Sequence, residues 1–551
     1  MGQAEKSRAE ARRLIEPAYI DVDTLIDDLE REIAVRDPTL FGAAQIESRP
    51  VDPEQRRIAI TISGGGAAGA YAAGALETLL ARMKARGIRI DLIVGASAGA
   101  LNAYGVVLDS LGMANPQLRE DPGLRQPYSS FIASIWSFIG RDARPSRWIA
   151  GRRAWMIDIA TKGIDTPLKR WGLAVAVSLG VLIFNPFLLI AVFLFLGLDG
   201  WLPTFIREWG EGWRPAFQLG MLGVVSLAGA AAAFFYAMRA VGTSLLRGSQ
   251  LLRLLANTGP NGDLSRPWFW PREQTYDRAR VLSREIVSEW YKQSETAPQL
   301  VVATTDITGG RECMFTLVRP DTYRRLRRHG WMAVQLDAQS EICREYRESP
   351  DALLTPAENL LQAVLASTAV PSAFPSQAIS LYSADGSHEV SHRFVDGGVL
   401  NNSPLHLAID AGATHIISLE VDPLTVRDPL KVDDKAQGYN VLEAGVTTFT
   451  TLIDRAIERD VRRTVTWNHF LLEHPESLSS TTKAERTRKR ILPLYRVAPL
   501  RREIGTVEFD GRYENGRLMA SLRDVLRRGM LDLQGKRIWR ATLQSIPDDE
   551  V

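Results

Sequence analysis

The 551-residue chain has only two cysteines, Cys313 and Cys343, too few for a disulfide framework and without the spacing of a zinc or redox motif. A reducing compartment fits this usage. Net charge is nearly absent too: 66 Lys and Arg against 64 Asp and Glu leave +2, so no bulk charge attracts nucleic acid. Polyanion binding is thereby disfavoured as the main function. No cleavable signal peptide is evident in MGQAEKSRAEARRLIEP, which is charged from residue 5 onward, and Lys6 stands where a myristoylation motif wants Ser or Thr. There is no internal repeat. The length suits three or four domains, or one large domain carrying insertions.

A mean hydropathy of -0.09 conceals two long uncharged runs. The first covers 28 residues, Trp171 to Leu198, between Arg170 and Asp199; the second covers 24, Pro215 to Met238, between Arg214 and Arg239. Both exceed the roughly 20 residues needed to cross a bilayer, and their closeness predicts a transmembrane hairpin. Asn185-Pro186 interrupts the first run, where proline removes a backbone donor and kinks a helix, so a re-entrant first segment stays open. Lys169 and Arg170 before the pair and Arg239, Arg247 and Arg253 after it put both long flanks on the cytoplasmic side by the positive-inside bias. Trp201, Trp209 and Trp213 in the connecting loop suit an interfacial aromatic belt.

The rest of the chain has the texture of an α/β protein. Residues 1–55 are charge-rich and read as an N-terminal helical accessory segment. From Arg57 onward, the β-branched run IAITI ends in a glycine cluster followed by a helical stretch. The apolar run IRIDLIV then ends in GASAG and a second helix. Strand and helix patterns recur in QLVVATTDI, in the stretch around Ala357 to Ala366, in THIISLEV and in ILPLYRV. The fold class expected is α/β: a doubly wound, mainly parallel sheet covered by helices, with the hydrophobic hairpin inserted into it. The domain reading is an accessory segment at 1–55, a first catalytic part at 56–170, the hairpin at 171–240, and a second catalytic part with a C-terminal helix at 241–551.

Three motifs carry chemistry. Gly95-Ala96-Ser97-Ala98-Gly99 is a GxSxG sequence between a strand and a helix; Gly95 and Gly99 let the backbone tighten and present the Ser97 hydroxyl. Ser63-Gly64-Gly65-Gly66, at the end of the preceding strand, offers main-chain N–H groups to a developing oxyanion. Gly64, Gly66 and Gly69 also satisfy the GxGxxG dinucleotide fingerprint, with Asp91 at about the right separation for a ribose contact, but Asp91 lies within or near the start of its strand, whose carboxyl end is occupied by Gly95 to Ser97. Phe394-Val395-Asp396-Gly397-Gly398 puts a carboxylate at the end of an apolar run, where burial raises its pKa and suits it to act as a base toward Ser97. A triad in the order Ser, Asp, His has His406, His415, His469 and His474 available, of which neither His406 nor His415 is on an obvious loop beside the serine.

In order, SGGGAAGAYAAGAL, IVGASAGALNA, STAVPSAFPS and DGGVLNNSPLHLAIDAG resemble the four blocks of the patatin-like phospholipase family, and TTDITGGRECMF and LYRVAPL resemble its strands. The similarity covers residues 56 to about 540, interrupted by the hydrophobic hairpin. It implies a Ser-Asp dyad without a catalytic histidine: Ser97 as nucleophile, Asp396 as base, and the amides around Gly64, Gly65 and Gly66 as oxyanion hole. It also implies a lipid ester substrate, phospholipid or lysophospholipid, met at the bilayer, with no cofactor and no metal. One departure stands out, since the family commonly has a basic residue at the place held here by Ala68. Two other readings stay open: a membrane scaffold that keeps the fold without catalysis, and a nucleotide-binding protein.

Overall fold

The computed structural model describes residues 3–36, 45–118, 131–139, 248–262, 272–338, 344–347, 352–371, 374–384, 386, 388–400, 404–424, 441–474, 491–501, 503–504, 512–514 and 517–547. The chain divides into two units, one of Met1–Ala154 with Leu246–Val551, the other Trp155–Leu245. The hairpin expected at 171–240 lies outside the described residues. Among the described residues no helix is long and apolar enough to cross a membrane.

The first unit opens with α1 (Gln3–Ile15), β1 (Ala18–Ile20), α2 (Val22–Leu29), β2 (Arg31–Arg36) and β3 (Gln45–Pro50). Next come β4 (Ile58–Ile62), α3 (Gly69–Ala85), β5 (Leu92–Ala96), α4 (Ala98–Ser110) and α5 (Phe131–Ile139). The chain is described again from α6 (Gly248–Ala256) and α7 (Arg272–Lys292) through β6 (Gln299–Asp306), β7 (Arg311–Leu317), α8 (Pro320–Arg328), β8 (Ala333–Asp337) and α9 (Arg344–Arg347). It continues with β9 (Leu353–Pro356), α10 (Leu360–Ser367), β10 (Gln377–Ser383), β11 (Glu389–Asp396), α11 (Leu405–Ala411) and β12 (His415–Leu419). Last are α12 (Val441–Glu473), β13 (Leu494–Val497), β14 (Arg512–Glu514), β15 (Arg517–Ala520), α13 (Leu522–Gln534) and β16 (Ile538–Arg540).

One 12-stranded sheet runs β1-β16-β13-β12-β4-β5-β6-β11-β10-β9-β8-β7. Its centre, β13-β12-β4-β5-β6, is parallel, and every residue of β4, β5, β6, β12 and β13 is buried, as a strand covered on both faces requires. Helices cover it in two groups. Those packed against α4 are α3, α5 and α10, whereas α11, which also lies on β4 and β5, packs with α8 and α12.

Outside that centre β7–β8 and β8–β9 are parallel as well, but the remaining pairings depart from the expected mainly parallel arrangement. β6–β7, β6–β11, β11–β10, β10–β9, β13–β16 and β16–β1 are antiparallel. For β6–β7 and β10–β11 the short connections dictate this, because a parallel neighbour needs a crossover of a dozen or more residues. Only Ile307–Gly310 joins β6 to β7: Gly310 takes a φ of +64°, and Asp306 Oδ1 accepts the Thr308 and Gly309 N–H groups, both at 3.0 Å. Pairing of β6 with β7 also closes β6, β11, β10, β9, β8 and β7 into a ring.

The N-terminal segment, expected to be helical throughout, holds two helices and also three strands. β2 and β3 form a separate antiparallel pair, and β1 extends the main sheet beside β16. Asp28, fully buried on α2, accepts from Arg540 of β16 at 2.7 Å and from Arg13 at 3.2 Å. A pair separated by 512 positions along the chain leaves no local pattern that could announce it.

Candidate active site

Strand β5 ends at Ala96 and helix α4 begins at Ala98, so Ser97 alone makes the reversal. It does so at φ +54° and ψ −126°, and among the described residues it is the only non-glycine with positive φ. Such a conformation costs about 1–3 kcal/mol and persists only where its surroundings enforce it. Gly95 and Gly99 provide the enforcement: a Cβ on Gly95 would lie 2.3 Å from Gly99 O, and one on Gly99 would lie 2.2 Å from Ile62 O. The Ser97 N–H donates to Ser367 Oγ at 3.0 Å, and that hydroxyl donates onward to Ala303 O at 2.6 Å. Ser367, at the end of α10, therefore ties the turn to β6. The helix behind Ser97 is anchored by Asn102, whose amide donates to Gly69 O and whose Oδ1 accepts from Trp136 Nε1 at 2.6 Å.

Strand register brings Asp396 to the same spot. β7 lies along β6 from Leu300 to Asp306 and takes up one of its edges. The other edge is divided, with β5 on Gln299–Ala303 and β11 on Thr304–Asp306. Because β5 is parallel to β6 and β11 antiparallel, their last residues, Ala96 and Asp396, meet opposite the consecutive positions Ala303 and Thr304. The two strands abut end to end, and the chain leaves each at the junction: through Ser97 on one side and through Gly397 on the other. A Cβ on Gly397 would lie 2.4 Å from Ala303 O, so only glycine lets β11 turn away there.

Asp396 is 2% exposed, and burial pushes its carboxyl up to about 7, with the Ser97 hydroxyl and the Gly398 amide pulling it partly back. Its Oδ1 accepts the Gly398 N–H at 2.8 Å. Its Oδ2 is buried without a hydrogen-bond partner among the described residues. The Ser97 hydroxyl is near enough to help hold the carboxyl's pKa down. No cation pairs with Asp396 among the described residues, unlike Asp28 with its two arginines.

The glycine loop follows β4, whose Ile62 pairs with Gly95, so the loop leaves the sheet beside the Ser97 turn. Gly66 has φ +54°, and a Cβ on Gly65 would lie 2.4 Å from Val421 Cγ2. Gly65 and Gly66 are partly exposed, whereas Gly64 is buried. Ser97 sits at the N-terminus of the 13-residue α4, whose dipole favours negative charge there. A hydroxyl, a carboxyl of near-neutral pKa and the partly exposed main chain of Gly65 and Gly66 can together deprotonate a nucleophile and hold an oxyanion.

The histidines take no part in this arrangement. His406 Nε2 lies 3.4 Å from Asp460 Oδ1. His415 bonds Thr414 Oγ1 and Arg31 O, both at 2.9 Å, at the start of β12 and so at the opposite end of the sheet. His469 and His474 bond Leu543 O and Phe470 O. The dinucleotide reading fails on Asp91, whose Oδ2 accepts the Ile58 N–H at 2.9 Å at the start of β4, at the sheet end opposite the glycine loop. Sequence reasoning overlooked Ser367, Asn102 and Trp136. Ser367 opens the STAVPS block, and its hydroxyl was the available signal.

A model of the family described as patatin-like phospholipase matches residues 60–174 and 228–409, together more than half of the chain. No curated protein matches. Among solved structures, VipD from Legionella pneumophila is similar at 13% identity, over 92% of this chain and 70% of that one, with a TM-score of 0.25.

Proposed function

Because the chain belongs to the patatin-like phospholipase family, we propose that it is a membrane-anchored lipid acyl hydrolase acting through Ser97 and Asp396. The observation that carries this reading is the junction of β5 and β11, where a strained serine adjoins a buried carboxyl with no cation paired to it among the described residues. Asp396 accepts the hydroxyl proton as Ser97 Oγ attacks the ester carbonyl of the acyl chain. The amides of Gly64, Gly65 and Gly66 hold the resulting oxyanion, aided by the α4 dipole. Collapse expels the alcohol, which takes the proton back from Asp396 and leaves an acyl-serine. Water, deprotonated by the same carboxylate, then releases the fatty acid.

The anchor rests on the two uncharged runs at 171–198 and 215–238, with the catalytic unit on the cytoplasmic leaflet as the flanking Lys and Arg favour. Anchoring raises the local concentration of a substrate that is itself insoluble. Extraction of membranes at alkaline pH should leave the chain in the pellet; release into the supernatant contradicts insertion. For the chemistry, a fluorophosphonate probe should label the purified wild type and not Ser97→Ala. A folded wild type that takes no label is a scaffold rather than a hydrolase.

A further inference from the structure

Helix α4, with Ser97 at its N-terminus, is buried from Ala98 to Leu108, and Asn102 is the one amide side chain in that stretch. Asn102 is fully buried, and its partner Trp136 on α5 is 2% exposed. The Asn102 Nδ2 donates to Gly69 O at 3.1 Å, and Oδ1 accepts from Trp136 Nε1 at 2.6 Å. A carbonyl only accepts and an indole N–H only donates, so the two partners fix which way the amide faces. Aspartate could serve one of them and leucine neither. A bonded amide inside an apolar helix adds little stability, since replacing such a pair by apolar groups of the same shape is close to neutral. The reason for asparagine at this place therefore lies in what it holds.

It holds the start of α3 against the start of α4. Asn102 lies one turn beyond Ala98, so the two share a face of the helix. A Cβ on Gly69 would lie 2.6 Å from Ala98 Cβ and 3.2 Å from Trp136 Cζ2, so the backbone at Gly69 sits on the residue that follows the nucleophile. Only the tight turn Gly66–Ala68 separates Gly69 from the glycine loop. The entrance of that loop is tied to β12, where Leu419 O accepts the Ser63 N–H at 3.0 Å. Its exit is tied to α4 through Asn102.

We propose that Asn102 is a positioning residue for ester cleavage: gripped by Trp136, it keeps the glycine-loop amides at the distance from Ser97 that an oxyanion needs. The inference rests on the hydrolase reading and deepens it by naming the contact that keeps nucleophile and oxyanion donors in register. As Ser97 Oγ bonds to the acyl carbon, its proton passes to Asp396 and the carbonyl π electrons move onto oxygen. The amides meet that charge only while α3 and α4 keep their spacing. A displacement of about 1 Å at such a site costs on the order of 10²-fold in rate.

The test uses the full-length protein in detergent micelles, a p-nitrophenyl acyl ester, and a long-chain trifluoromethyl ketone, to which Ser97 adds to give a hemiketal oxyanion. In Asn102→Leu, kcat should fall about 30-fold or more with KM within about threefold, and ketone affinity should fall by the same factor as kcat/KM. Trp136→Phe, which frees the amide to turn, should cost kcat about 3–10-fold. The double variant, with both partners apolar, should regain thermal stability and not kcat. Tyr104→Phe removes a buried hydrogen bond from α4 to Thr258 Oγ1, away from the glycine loop, and should lower stability while leaving kcat unchanged. Wild-type kcat and ketone affinity in folded Asn102→Leu overturn the inference, and so does a double variant that recovers activity along with stability. Should Asn102→Leu not fold, unchanged kcat in Trp136→Phe overturns it. Each of these outcomes leaves the hydrolase reading standing, whereas a folded wild type that cleaves no ester and takes no fluorophosphonate label sinks both.

Discussion

The two ends of the parallel strands treat polar groups in opposite ways. At the amino end, Asp91 Oδ2 receives the Ile58 N–H, the Arg57 N–H donates to Thr414 Oγ1, Gln299 bonds Asp91 and Arg319, and His415 spans Thr414 and Arg31. At the carboxyl end, Ser97 and Gly66 hold positive φ, Asp396 Oδ2 is buried without a partner among the described residues, and Arg501 is likewise unpaired. Both ends contain carboxylates raised by burial, Asp91 and Asp396, yet only the second lies beside a hydroxyl in a strained turn. The difference teaches that burial alone does not mark a reactive group. What matters is whether the surrounding hydrogen bonds are already spoken for.

The largest effects should come from the carboxyl end. Ser97→Ala and Asp396→Asn should each lower ester hydrolysis by about 10³-fold or more in folded protein, whereas His406→Ala and His415→Ala should retain turnover. Loss of activity in a folded histidine variant would break the contrast. In the wild type, kcat/KM should rise with pH through about 7 as Asp396 loses its proton, because only the carboxylate accepts from Ser97.

Gly99→Ala comes next, since its Cβ falls 2.2 Å from the Ile62 carbonyl oxygen. Urea unfolding should report a loss of about 3 kcal/mol or more, with hydrolysis abolished.

Asp396→Asn should act on stability in the opposite direction. The folded-state pKa of Asp396 is raised to about 7, so the native state holds its proton more tightly than the unfolded chain does. Wild-type stability therefore declines as pH rises from about 4 to about 7 and stays reduced above that. Asparagine keeps an acceptor for the Gly398 amide without the charge. At pH 8 the variant should exceed the wild type by roughly 2–4 kcal/mol, a gap that vanishes near pH 4. No gap at pH 8 would mean that Asp396 is not held against its own ionisation.

The smallest effect belongs to the amino end. Asp91→Ala removes the side-chain acceptor of the Ile58 N–H and should cost about 1–2 kcal/mol, leaving turnover per folded molecule within about twofold.

Much of the carboxyl end is legible in the sequence because its constraints are local. A strand that ends in GASAG must reverse within one residue, and the glycines of that run, with Gly65 and Gly397, are where an added Cβ would strike neighbouring atoms. The antiparallel β6–β7 pair was also within reach, since DITGG is a turn sequence, but the expectation of a parallel sheet passed over it. Contacts between distant segments were not legible. Neither β1 beside β16, nor Ser367 beneath Ser97, nor Arg528 beside Ala68 has a periodicity or spacing that links its partners, because those meetings depend on how whole elements pack.

The abutment of β5 and β11 acts as a length gauge for the site. One residue added to or removed from β11 would carry Asp396 about 3.3 Å along β6 and turn its carboxyl to the opposite face, while Ser97 stayed where it was. Variation in this chain is therefore far safer in the loops than in either of those two short strands, whose residue count is as much a part of the chemistry as the side chains they deliver.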